Sequence, residues 1–126
     1  MNLLLDTHIL LWAAADPAKL SSETTNLISN KDNRLYFSAA SIWEVVIKNG
    51  LHRPDFFVDP HILRRGLVDN GYLELPISTQ HTLALSHLPD IHKDPFDRML
   101  IAQAVSDRLN LMSDDSKFLY YDCPII

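Results

Sequence analysis

Acidic residues stand at several points of this chain where an apolar segment gives way to polar residues. Asp6 closes an apolar run near the N-terminus, and the pair Asp114-Asp115 follows another apolar run near the C-terminus. Glu44 and Asp97 lie between them, in segments with helical spacing of apolar residues. Gathered without a counterion, such carboxylates would repel one another or take up protons. Oxygen ligands without a Cys/His framework favour Mg²⁺ or Mn²⁺, and such a site activates water and stabilises charge on a phosphoryl group.

A helix with a well-defined start must position Asp97. Pro95 lacks a backbone donor and suits the first turn of a helix, and Asp94 before it is a suitable N-cap. Apolar residues recur at helical spacing from Phe96 to Val105, so we expect Asp97 to be half-buried at the edge of the apolar face. An acid in a first turn also complements the helix dipole, which is an alternative role for Asp97.

A buried strand is predicted to position Asp6. Residues 3–5 are all leucine, which is typical of a strand covered on both faces, and a helix over residues 8–15 is predicted to end at Asp16-Pro17. A strand followed by a helix indicates an α/β sheet, in which ligands bind beyond the carboxyl ends of the strands. The alternative is that Asp6 only caps the helix after it.

Glu44 lies in a helix predicted over residues 38–50, after a strand over residues 35–37, with Gly50 as its C-cap. Two interpretations of Glu44 stay open. If Ser41 is the N-cap, Glu44 has the spacing of a capping box. If Ser38 is the N-cap, Glu44 lies nearly two turns inside the helix, where an unpaired acid would be costly.

The rest of the chain continues the alternation of helices and strands. Helices are predicted over residues 23–30, 61–70 and 79–88; strands over 72–76 and 109–112; a turn or short helix over 116–121; and an edge strand over 123–126. Right-handed crossovers between parallel strands would bring the acids that follow these strands to one edge of the sheet. The order of elements therefore predicts that the four carboxylates converge.

Composition narrows the class of protein. A chain of 126 residues with 47% hydrophobic and 21% charged residues predicts one soluble globular domain, residues 1–126. No apolar run is long enough to span a membrane, and the N-terminus lacks the basic start of a secretory signal, so a cytoplasmic location is expected. The single Cys123 excludes an intramolecular disulfide and argues against zinc, and the six-residue spacing of His81 and His87 argues against a shared metal site.

The net charge of −5 argues against a DNA-binding module with a broad basic face but permits a nuclease, because bound metal ions reverse the local field. The densest basic cluster, which could meet phosphate, consists of Lys48, Arg53, Arg64 and Arg65. Between its members, the irregular segment 51–60 carries the adjacent Phe56 and Phe57. Such a pair is more typical of core or partner contacts than of base stacking.

Four motifs together resemble the PIN-domain ribonucleases, specifically the VapC-like toxins of toxin–antitoxin pairs: LLLDTHILLW, SAASIWEVVIK, HKDPFDRMLIAQA and LMSDDSKF. The resemblance runs from residue 3 to 126 in the same order. It implies that Asp6, Glu44, Asp97 and Asp115 are the catalytic, metal-binding acids. It further implies supporting roles for Asp94 as a cap and for Thr7 and Ser113 as hydroxyls flanking the site.

What the resemblance implies is a three-layer α/β/α sandwich with a central, mainly parallel sheet of four to five strands. The implied function is a Mg²⁺- or Mn²⁺-dependent endoribonuclease with an antitoxin protein as partner and a homodimer as its assembly. The chain departs from the family at Asp114, where a small residue often precedes the last acid. Asp115 is the favoured ligand of the pair, with Asp114 supporting it, and contacts with RNA or antitoxin are expected at Lys48, Arg53, Phe56, Arg64 and Arg65.

Two families of similar fold fit the residues less well. A response-regulator receiver needs an acidic pair after its first strand, and Asp6-Thr7-His8 supplies none. A haloacid-dehalogenase-type phosphatase needs a second Asp two residues after Asp6, where this chain has His8. A PIN scaffold that binds partners without catalysis is the remaining alternative, and the presence of all four acids argues against it.

Overall fold

The centre of the fold is a parallel sheet, seen in a computed structural model that describes residues 1–91 and 93–115. Within these residues four strands pair in the order β3-β2-β1-β4: β1 Asn2–Leu5, β2 Arg34–Ser38, β3 Leu73–Leu75 and β4 Asn110–Met112. β1 lies between β2 and β4, with Leu4 opposite Tyr36 on one side and Leu111 on the other. The expected parallel sheet is confirmed, while the segments predicted over 116–121 and 123–126, with Cys123, lie outside the described residues.

Leucines of β1 alternate between two hydrophobic cores, one on each face of the sheet. Leu3 and Leu5 pack with residues of the helices on one face, and Leu4 packs with Leu100 and Ile101 on the other. All three leucines are fully buried, which explains why the strand is a continuous apolar run. The three-layer α/β/α sandwich is therefore confirmed.

The helices are α1 Thr7–Ala15, α2 Ser22–Ser29, α3 Ala39–Gly50, α4 Pro60–Asp69, α5 Thr79–Ala84 and α6 Pro95–Asp107, with short 3₁₀ turns at Pro17–Lys19 and Leu85–His87. Asp94 caps α6 as predicted, because its Oδ1 accepts from the backbone N–H groups of Phe96 (2.8 Å) and Asp97 (3.1 Å). α4 ends before Gly71, whose φ of +85° favours glycine. None of the described helices has the length and apolar character needed to cross a membrane.

Both ends of α3 differ from a prediction made from the sequence. Ser38 is the N-cap, since its hydroxyl accepts from the backbone N–H of Ala40 at 2.9 Å, so the capping box of Ser41 and Glu44 is wrong. The prediction of Gly50 as C-cap is also wrong, because α3 runs through Gly50 and its cap is Leu51. Glu44 therefore lies in the second turn, without a capping role.

Two buried polar side chains that the sequence patterns did not predict connect elements that are distant in the sequence. Gln103 on α6 is fully buried; it accepts from the Ser38 hydroxyl at 2.6 Å and donates to the carbonyl of Pro76 at 3.3 Å. His81 on α5 accepts from the backbone N–H of Ser78 through Nδ1, which leaves Nε2 to donate to the Asp107 carboxylate at 3.1 Å. The latter bond fixes α5 against α6.

Candidate active site

An acid-lined cleft of about 150 Å³ lies where β1 and β4 end, beside the second and third turns of α3 and the start of α6. Because β1 and β4 are parallel neighbours, Asp6 and the Asp114-Asp115 pair emerge at the same edge of the sheet. The described residues that line it are Asp6, Thr7, His8, Glu44, Lys48, Asp94, Asp97, Asp114 and Asp115. The structure thus brings together all four acids predicted from the sequence.

Asp6 is buried at the end of β1 and has structural partners as well as a place in the cleft. Its Oδ1 accepts from the backbone N–H of Ile9 at 2.9 Å, which makes it the N-cap of α1, and the Ser113 hydroxyl is a second partner. Burial nevertheless raises the pKa of the Asp6 carboxyl, against the opposing effects of these two hydrogen bonds. The cap and the cleft roles are therefore compatible, and the charged form of Asp6 is poorly compensated.

A hydrogen bond between two buried hydroxyls joins the start of α1 to α3. The Thr7 hydroxyl donates to the Ser41 hydroxyl at 2.9 Å, and both residues are almost completely buried. Ser41 thus has a long-range partner in place of the local capping role. The bond holds the backbone after Asp6 against the helix that carries Glu44, and Thr7 itself lines the cleft.

Glu44 reaches the cleft from the second turn of α3 and is paired there. Its Oε2 lies 2.7 Å from the Nζ of Lys48, one helical turn later. The Glu44 side chain is only 7% exposed, while that of Lys48 is 35% exposed. The Lys48 ammonium also lies 5.9 Å from the centre of the Phe56 ring. An acid that would be costly without a partner at this position is therefore compensated by a lysine.

The N-terminus of α6 contributes Asp94 and Asp97 to the lining of the cleft. Asp97 is half-buried, as expected from its position at the edge of the apolar face. Next to it, Phe96 packs edge-to-face on Trp43 of α3, with ring centroids 5.0 Å apart. The aromatic contact ties the first turn of α6 to α3, so the elements that carry Asp97 and Glu44 are held together.

The segment after β4 turns back towards the cleft through a local hydrogen bond. The backbone N–H of Asp115 donates to the Ser113 hydroxyl at 3.0 Å. Ser113 thereby contacts both Asp6 and Asp115, in keeping with its predicted position beside the acids. Both acids of the pair line the cleft, but Asp115 is half-buried and Asp114 is exposed. Asp115 is therefore the more buried acid of the pair, while the charge of Asp114 adds to the rise in the pKa of Asp6.

The donors in the cleft match a hard divalent cation in kind. Carboxylate oxygens from four separate segments are the ligands that Mg²⁺ and Mn²⁺ prefer, and the raised pKa of Asp6 shows that its charge lacks full compensation. Among residues 1–91 and 93–115, however, no three acidic or histidine side chains lie close enough to hold one ion. Metal binding would therefore require movement of side chains within the cleft.

The predicted basic cluster is divided by the fold. Lys48 lines the cleft, whereas Arg53, Arg64 and Arg65 are absent from its described lining. Arg64 instead donates from Nε to Glu74 at 2.9 Å, beside the edge strand β3. Of the four residues of the predicted basic cluster, Lys48 alone is among the described residues that line the cleft.

His8 is a cleft residue that the sequence analysis did not single out. It lies in the first turn of α1, is exposed, and packs edge-to-face with Trp12 at a centroid distance of 5.9 Å. Its position two residues after Asp6 was the available signal, because that turn begins where the strand ends. His8 adds an exposed imidazole to the lining of the cleft.

The raised pKa of Asp6 predicts a pH-dependent effect of Asp6→Asn on stability. The folded state holds the Asp6 proton more tightly than the unfolded chain does. The free energy of unfolding therefore falls as the pH rises through the folded pKa of this carboxyl. Asparagine keeps the capping oxygen without the charge. In EDTA, urea unfolding should show the variant to be more stable than the wild type at neutral pH, with the difference disappearing below about pH 4. A less stable variant at neutral pH would contradict the uncompensated charge.

The sequence matches the PIN domain family over residues 3–122. A search of curated proteins finds no match. Solved structures share the fold, among them VapBC2 from Rickettsia felis bound to a DNA fragment from their promoter, with a TM-score of 0.71, 15% identity, and coverage of 100% of this chain and 98% of that chain. VapBC-1 from nontypeable Haemophilus influenzae has a TM-score of 0.64, 18% identity, and coverage of 100% and 97%.

A third similar structure is VapBC-5 from Mycobacterium tuberculosis, a member of the VapBC family of toxin–antitoxin systems, with a TM-score of 0.60, 14% identity, and coverage of 99% of this chain and 95% of that chain. Identities this low establish a shared fold and nothing finer. The family match is stronger evidence, because it spans nearly the whole chain and includes every acid that lines the described cleft. The protein belongs to the PIN-domain family.

Proposed function

We propose that the protein is a metal-dependent endoribonuclease and the toxin of a toxin–antitoxin pair. The observation that carries this proposal is the convergence of Asp6, Glu44, Asp97 and Asp115 from four segments on one cleft of a PIN-domain chain. The substrate is RNA, and the reaction is hydrolysis of a phosphodiester bond. The proposed place of action is the cytoplasm, where that substrate is found.

In this proposal the four acids hold Mg²⁺ or Mn²⁺, with Asp115 as the ligand from the C-terminal pair. Such an ion, when bound, lowers the pKa of water and stabilises negative charge on the phosphoryl group. The protein positions the acids through its hydrogen bonds: Ser113 orients Asp6, and the bond from Thr7 to Ser41 holds α1 against α3. Asp94 fixes the helix start from which Asp97 projects.

Cleavage of RNA by the purified protein, with and without metal, tests the proposal. We expect cleavage with Mg²⁺ or Mn²⁺, no cleavage in EDTA, and recovery when the metal is restored. Sequencing the 5′ ends of RNA fragments after induced expression would identify the target. Cleavage that persists undiminished in EDTA would contradict the mechanism, and binding of RNA without cleavage in either metal would favour the non-catalytic PIN scaffold.

The proposed partners are an antitoxin protein and a second copy of the chain. Solved structures with this fold include VapBC complexes from several bacteria, which supports an antitoxin partner. For the antitoxin we propose a short helix that covers the region of residues 51–65, where Phe57 is 80% and Ile62 64% exposed. Support for a homodimer comes from exposed apolar side chains on one face of α3, namely Trp43, Val46 and Ile47.

A further inference from the structure

The contact between Glu44 and Lys48 occupies one of the four acids of the cleft. The carboxylate Oε2 and the ammonium Nζ are 2.7 Å apart, a strong charge-assisted contact. Of the residues described around the cleft, Lys48 is the only lysine or arginine. The pair therefore places a cation of the protein itself inside an otherwise acidic cleft.

Burial separates this pair from an ordinary salt bridge on a helix surface. Exposed ion pairs contribute little to stability, because water and salt screen them. Lys19 and Asp16 are such a pair, 3.8 Å apart with side chains 60% and 51% exposed. In contrast, Glu44 is 7% exposed, so its charge depends on the lysine for compensation. The Lys48 side chain is 35% exposed and flexible, so its ammonium group is able to move away from Glu44.

We infer that Lys48 is a built-in counterion of Glu44 that a divalent metal ion must displace before Glu44 can become a ligand. The inference rests on the proposed function, because it assumes that the cleft binds metal. In the described residues Glu44 contacts Lys48, and no three acids lie close enough together to hold one ion. Lys48 is thus a positioning residue that sets the metal affinity through Glu44.

Isothermal titration with Mn²⁺ as the probe tests the inference. Lys48→Met keeps an apolar side chain of similar length and removes the charge that competes with Mn²⁺ for Glu44. Because that charge is partly buried, we expect Mn²⁺ to bind the variant about tenfold more tightly. Lys19→Met, which removes a lysine from the exposed pair with Asp16, should change the affinity less than about twofold. Thermal melts of each variant in EDTA check that it is folded.

A double-mutant cycle separates displacement from a general change in charge. If Lys48 acts through Glu44, Lys48→Met should leave Mn²⁺ affinity nearly unchanged in a Glu44→Gln background. Equal tightening in both backgrounds, or no tightening in the wild type, would overturn the inference and leave the proposed function standing. Absence of Mn²⁺ binding by the wild type and by Lys48→Met would overturn both.

Discussion

Replacing Asp97 with asparagine is expected to lower RNA cleavage by at least about 100-fold, because it removes a ligand charge while keeping the shape of the side chain. Fold and stability should survive. Asp97 lies half-buried in the first turn of α6, and the cap of that helix is Asp94, which accepts from the backbone N–H groups of Phe96 and Asp97. In EDTA the variant should be as stable as the wild type or more stable, because one charge leaves an acidic cleft.

Thermal melts with and without Mg²⁺ check whether the loss of activity comes from the loss of metal. Metal at roughly ten times its dissociation constant should stabilise the wild type by about 1.4 kcal/mol through mass action. For a domain of this size that is a melting shift of roughly 3–8 °C, most of which the variant should lose. Equal responses to Mg²⁺ in the two proteins would leave Asp97 with only a role at the helix N-terminus.

Asp59→Asn is the matched control for this prediction. Asp59 is the N-cap of α4, where its Oδ1 accepts from the backbone N–H of His61 at 2.9 Å, and it is not among the described residues that line the cleft. Asparagine caps a helix about as well as aspartate does, so stability should hardly change. Cleavage and the response to Mg²⁺ should match those of the wild type.

Features of the fold that depend on local patterns could be predicted from the sequence. The leucines of β1 form a continuous apolar run because neighbours on both faces bury them, and this pattern identifies a strand of a covered parallel sheet. The start of α6 was predictable because Asp94 and Pro95 act within one turn. The convergence of the acids followed from the position of Asp6 and Asp115 after parallel strands.

The missed features depend on partners that are distant in the sequence. Ser41 and Ser38 are both chemically able to cap α3. In the structure Ser38 is the cap, and the Ser41 hydroxyl accepts instead from Thr7, which is 34 residues away. The contact between His81 and Asp107 spans 26 residues, and no local pattern points to it. The pair of Glu44 and Lys48 is different, because its spacing of four residues is visible in the sequence and favours an ion pair on a helix.

Phe57→Ala is expected to weaken the affinity for the antitoxin by about 30-fold or more, the effect of truncating a well-buried aromatic anchor of an interface. The sequence placed the partner contact at Phe56 as well as Phe57, but the two rings differ in the structure. Phe56 is half-buried beside the Lys48 ammonium, while Phe57 is 80% exposed. An exposed ring of this size can bury a large apolar surface in a contact with a partner helix that excludes water.

The measurement begins with the protein that co-purifies from the native host and suppresses RNA cleavage, whose dissociation constant is then determined for each variant. Leu83→Ala is the control: Leu83 is a comparably exposed apolar side chain, at 65%, on α5 and outside the region of residues 51–65. Its affinity for the partner should equal that of the wild type. Because Phe57 is so exposed, Phe57→Ala should leave the melting temperature of the free chain unchanged, so a change in affinity would report the contact itself. If both variants bind the partner as tightly as the wild type does, the antitoxin covers another surface.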